Sequence, residues 1–104
     1  MWSNGGVERQ VEAAAEVFRA LGSPVRLQLL HLLSERDATV TELVSATHLS
    51  QPLVSQHLRT LRQVGVVAGD REGRVVTYRL SDHHVAHIVA DALAHVAEPT
   101  ERKP

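Results

Sequence analysis

A chain of 104 residues without a single cysteine supports one domain with a modest core, and it excludes disulfides, thiolate nucleophiles and thiolate metal sites. No apolar run approaches the roughly 20 residues of a membrane span, and residues 1–6 lack the basic and apolar regions of a secretory leader, so a cytoplasmic location is expected. The net charge of −1 hides an asymmetry: residues 51–79 carry Arg59, Arg62, Arg71, Arg74 and Arg79 against Asp70 and Glu72, a local +3, in the one stretch suited to face phosphates.

Residues 1–6 and 99–104 read as flexible tails around one domain at 7–98. Val7, Val11, Ala14, Ala15 and Phe18 recur as one stripe of an amphipathic first helix that stops at Gly22. Ser23-Pro24 opens a second helix through Leu33, apolar on most sides and therefore the central core helix. Thr39-Val-Thr-Glu42 has capping-box spacing and starts a short third helix. His48-Leu49-Ser50 is a tight connection, and Ser50 caps a fourth helix that runs to about Val64 before Gly65. Val66–Ala68 and Arg74–Leu80 flank a turn around Glu72-Gly73 and read as a β-hairpin. Ser81-Asp82 caps a fifth helix that ends near Glu98, ahead of Pro99. The order is four helices, a hairpin wing and a last helix: mainly α, a winged helix-turn-helix.

On a helical wheel Val54, Leu58 and Leu61 of the fourth helix fall on one side, with His57 at their edge. Pro52, Ser55, Gln56, Arg59, Arg62 and Gln63 fall on the other, with Gln51 at its border. Hydroxyl, amide and guanidinium groups are the chemistry that pairs with base edges and phosphates. Position assigns base reading to Gln51, Ser55 and Gln56, with Pro52 on the same DNA-facing side, and phosphate contact to Arg59 and Arg62; Arg71 and Arg74 flank the wing tip and could reach an adjacent backbone or minor groove. His31 and His57 are expected within or beside the core.

Ala20-Leu-Gly-Ser-Pro-Val-Arg-Leu-Gln-Leu-Leu, Leu49-Ser-Gln-Pro-Leu-Val-Ser-Gln-His-Leu-Arg-Thr-Leu-Arg, Gly65-Val-Val and Arg71-Glu-Gly-Arg-Val-Val-Thr-Tyr-Arg-Leu follow one another in order. Together they resemble the ArsR/SmtB family of metal-sensing repressors over residues 12–98. The resemblance implies a homodimer through the first and last helices, with the fourth helix reading operator DNA.

The last helix carries His83, His84, His87 and His95. Eleven residues separate His84 from His95, which leaves them about 20° apart on the wheel, so His84, Asp91, His95 and Glu98 share one face. Those eleven residues also rise about 16 Å, too far for one ion bound through bonds near 2 Å. Two antiparallel copies can close the gap, with Asp82 and His84 of one subunit meeting His95 and Glu98 of the other. That is a tetrahedral N/O set suited to zinc, and twofold symmetry makes two such sites per dimer. The family resemblance implies the same four positions. Members that sense arsenic, cadmium or lead use a Cys-x-Cys pair where this chain has Thr39 and Thr41. Other members recruit ligands from terminal extensions for nickel or cobalt, and neither tail here holds a histidine. His83 and His87 read as bystanders, either of which could replace Asp82. The resemblance further implies a hydrogen bond from the free nitrogen of His95 to a carbonyl near Gly65. The reading is a non-enzymatic repressor that binds operator DNA as an apo dimer and is released by zinc, cobalt or nickel. Its alternative is a repressor of the same fold that is constitutive or answers a non-metal signal.

Overall fold

A computed structural model describes residues 5–99. Its elements in chain order are α1 (Gly5–Leu21), α2 (Pro24–Glu35), β1 (Ala38–Thr39), α3 (Val40–Thr47), α4 (Gln51–Gln63), β2 (Val67–Glu72), β3 (Val75–Leu80) and α5 (His83–Ala97). Helix α1 takes in Gly5 and Gly6, which the sequence reading assigned to a tail; the rest of both tails, apart from Pro99, lies outside the described residues.

Four side-chain caps set the helix starts. Ser23 Oγ accepts from the Arg26 amide at 3.3 Å, with Pro24 in the first turn. Thr39 and Glu42 form a reciprocal box: the Glu42 amide donates to Thr39 Oγ1 at 3.2 Å, and the Thr39 amide donates to Glu42 Oε1 at 2.9 Å. Ser50 Oγ accepts from the Leu53 amide, and Asp82 Oδ1 from the Val85 amide. Each satisfies an otherwise orphaned amide, an effect of about 0.5–2 kcal/mol. Helix α4 ends in a six-to-one closure, the Val66 amide donating to the Leu61 carbonyl at 3.1 Å, and Gly65 supplies the left-handed backbone this needs at φ 80°.

The sheet is antiparallel, in the order β1-β3-β2. The wing pairs Val67 with Leu80 through to Glu72 with Val75. Its loop is Gly73-Arg74, with positive φ at Gly73 and not at Arg74, the pattern of a type II′ turn whose twist suits a hairpin. Strand β1 pairs Ala38 with Tyr78 and Thr39 with Thr77. Sequence reading did not anticipate it, because two residues carry no period.

The core centres on α2, where Leu29, Leu30 and Leu33 meet Leu43 of α3, Val54, Leu58 and Leu61 of α4, and Val85 and Val89 of α5. His31 faces solvent on the outside of α2, near Glu35, so it does not pack in the core as expected; His57 is half-buried beside it. The α1 stripe is uncovered: Val11 is 50% and Phe18 58% exposed. Along α5 the inner face closes over Val85 and Val89 only, and Leu93 and Val96 further along remain exposed. With α1 and the end of α5 standing off the core, the radius of gyration is 15.6 Å against about 13 Å for a compact chain of this length.

Candidate functional site

The helix-turn-helix is α3 and α4, joined by the turn at His48, whose φ of 62° reverses the chain. Val54, Leu58 and Leu61 anchor one side of α4 and are almost fully buried. Gln51, Pro52, Gln56, Arg59 and Arg62 consequently face solvent, with Ser55 half-buried among them. The division matches the wheel residue by residue.

Charge on this side is left open. Arg79, counted in the basic segment, is neutralised by Asp70 at 2.9 Å. The ion pairs among the described residues are that one, Arg19–Glu16 and Arg36–Glu42, with His31 Nε2 also 3.7 Å from Glu35, and none takes in Arg59, Arg62, Arg71 or Arg74. Ser55, Arg59, Arg62 and Gln63 line a concavity of ≈ 420 Å³, closed on the wing side by Tyr78. A second, of ≈ 260 Å³, brings Gln51 at the start of α4 together with Arg74 on the wing, Thr41 and again Tyr78. Tyr78 thus lies between helix and wing, a position sequence reading missed. Its signal was the period of two, which sets Tyr78 on the same face of β3 as Val76.

His57, on the inner edge of α4, faces the core helix. Arg26 Nη1 donates to His57 Nδ1 at 3.4 Å, which requires the neutral ring protonated at Nε2, while Arg26 Nε donates to the Ala20 carbonyl at 2.6 Å. Burial, reinforced by the neighbouring guanidinium, holds His57 below the ordinary imidazole pKa.

Asp82, His84, His95 and Glu98 are all exposed on α5. Asp82 spends one carboxylate oxygen on the cap and keeps the other; among the described residues no hydrogen bond or ion pair engages the side chains of His84, His95 or Glu98. His84 does touch a ring, that of His83, with centroids 4.2 Å apart. Among the described residues no three His, Asp or Glu side chains converge on a point that could hold a metal ion. Of the four expected ligands, each end of α5 therefore offers one carboxylate and one imidazole, half of a four-ligand N/O set, and their chemistry fits zinc only if a second copy supplies the other half. Helix α5 packs on α2 and β3, and no hydrogen bond joins the His95 ring to the Gly65 segment.

A helix-turn-helix with one open polar face, followed by a two-stranded wing, defines the class of winged helix-turn-helix domains. Residues 23–68 match the family model described as bacterial regulatory protein, arsR family, and the chain belongs to that family. It is 56% identical over 88 residues to the HTH-type transcriptional repressor SmtB of Mycobacterium tuberculosis, covering 85% of this chain and 65% of that repressor, just under two thirds of its length. It is 42% identical over 87 residues to the transcriptional regulator NmtR of the same species, covering 81% of this chain and 72% of the relative. Among solved structures it resembles the homodimeric winged helix-turn-helix DNA-binding domain Mb0332 of Mycobacterium bovis, with a TM-score of 0.85, 27% identity, and coverage of 100% of this chain and 96% of that one.

Proposed function

We propose that this chain is a metal-responsive transcriptional repressor that binds operator DNA as an apo homodimer and is released by zinc held between the two α5 helices. Relatives named as repressors support repression, and a solved relative described as homodimeric supports the dimer. The uncovered apolar stripes of α1 and the far half of α5 give a second copy a surface to bury. Operator contact is assigned to Gln51, Ser55 and Gln56 at base edges with Pro52 beside them, to Arg59 and Arg62 at phosphates, and to Arg71 and Arg74 at an adjacent backbone or the minor groove.

The observation that carries the metal reading is that two exposed carboxylate–imidazole pairs stand apart along one helix, with eleven residues, or about 16 Å, between His84 and His95. Asp82 and His84 of one copy and His95 and Glu98 of the other would hold the ion, in two symmetric sites. Zinc, when bound, supplies a cross-link between the last helices and so favours one dimer geometry over another. Asp82 orients its free oxygen through the cap it makes to Val85, and the imidazoles bind as neutral rings. Because coupling is reciprocal, operator DNA weakens metal binding by the factor by which metal weakens DNA binding.

The test uses duplexes selected from a random library as operator probes. Zinc should release the wild type and leave His84→Ala bound, and the tetrahedral cobalt(II) absorption of the wild type should vanish in the variant. A wild type that zinc, cobalt and nickel all fail to release is a constitutive or differently triggered repressor.

A further inference from the structure

The first turn of α5 carries more imidazole than the shared cage uses. His83 and His87 are four residues apart, so they stand one above the other on a helix face that helical spacing sets about 60–100° from His84. Their rings meet edge-on, with centroids 5.8 Å apart and planes at 78°. Two imidazoles that share one ion through bonds near 2 Å hold their centroids roughly 5 Å apart, so a small side-chain rotation separates the observed pair from a chelating one. Both residues are exposed, and neither takes part in a hydrogen bond or ion pair among the described residues. The positive end of the helix dipole works against a cation at this point, and the capping carboxylate of Asp82 offsets it.

We propose that His83 and His87 form a second metal site, contained within one chain, that takes a divalent cation with an affinity for imidazole nitrogen. Water completes the coordination. With two nitrogens and no carboxylate in the set, copper(II) binds most tightly, then nickel(II), with zinc weaker than copper. The site does not rest on the sensor reading, because it needs neither the second copy nor the Asp82, His84, His95 and Glu98 cage.

The full chain carrying His84→Ala and His95→Ala isolates the pair. Titrated with copper(II) and followed by calorimetry, it should retain one equivalent per chain, and adding His87→Ala should weaken that equivalent at least about tenfold. All of these side chains are exposed, and the helical circular dichroism of each variant serves as the folding control. The wild type carrying His83→Ala and His87→Ala should still be released from DNA by zinc. Three results overturn the proposal: no copper equivalent in the doubly substituted chain, an equivalent that survives loss of both His83 and His87, or a wild-type chain whose first zinc equivalent weakens on His87→Ala. The last would make His87 a member of the shared cage.

Discussion

Tyr78 lies over the empty face of Gly69. The two residues are direct partners across the wing, and a Cβ built on Gly69 would stand 3.3 Å from Tyr78 Cε1 and 2.9 Å from Val76 Cγ1. The absence of a side chain at Gly69 therefore lets the phenol settle between the wing and α4. Gly69→Ala should lower stability by about 1–3 kcal/mol through overpacking and displace the ring, which urea unfolding and the Tyr78 ring signals by NMR would register. An unchanged midpoint and ring environment would mean the strand accommodates the methyl.

Arg59 and Arg62, under the proposed function, should act through phosphate. Replacing Arg59 or Arg62 by Ala should weaken binding by a similar factor on all duplexes and reduce the slope of log affinity against log salt by about one. Gln51→Ala or Gln56→Ala should instead relax sequence preference, at about 1–3 kcal/mol per lost base contact, with the salt slope retained. Competition binding across salt and sequence separates the two behaviours.

The stripe, caps and wheel of α4 were legible because each rests on a local rule: Ser50, Gly65 and the buried trio Val54, Leu58 and Leu61 stand where spacing set them. Long-range pairing was not legible. Strand β1 exists because Ala38 and Thr39 meet the edge of β3, and Tyr78 reaches the reading helix through that same sheet. The outward turn of His31 was missed because α2 carries enough leucine to read as apolar all round, although its solvent side is polar. On α5, spacing alone gave two half-sets of donors too far apart to join within one chain.

Acid should loosen the contact between α2 and α4. His57 has a folded pKa below its unfolded value, so the unfolded chain takes up the proton first. The stability this group contributes is complete above the unfolded value of about 6.5 and is lost as pH falls toward and through the folded one. The apo protein should accordingly melt at a lower temperature at pH 5.5 than at pH 7.5. His57→Gln, which keeps an acceptor for Arg26 and cannot titrate, should flatten that part of the dependence. An undiminished slope in the variant would assign the effect to other groups.

His48 holds a left-handed backbone without being glycine, at φ 62°. A β-branched side chain tolerates this poorly, so His48→Val should cost about 1–2 kcal/mol and loosen the turn into the reading helix. His48→Gly should fold at least as stably in the same denaturant titration.

Mixing two dead variants tests the shared cage most directly. Neither His84→Ala nor His95→Ala homodimers can build a complete ligand set, whereas a mixed dimer brings one intact His84 opposite one intact His95. After chain exchange, the tetrahedral cobalt(II) absorption should return at about a quarter of the wild-type intensity per chain, since half the dimers are mixed and each holds one cage instead of two. A mixture as colourless as its components would show that the ligands never meet across the interface.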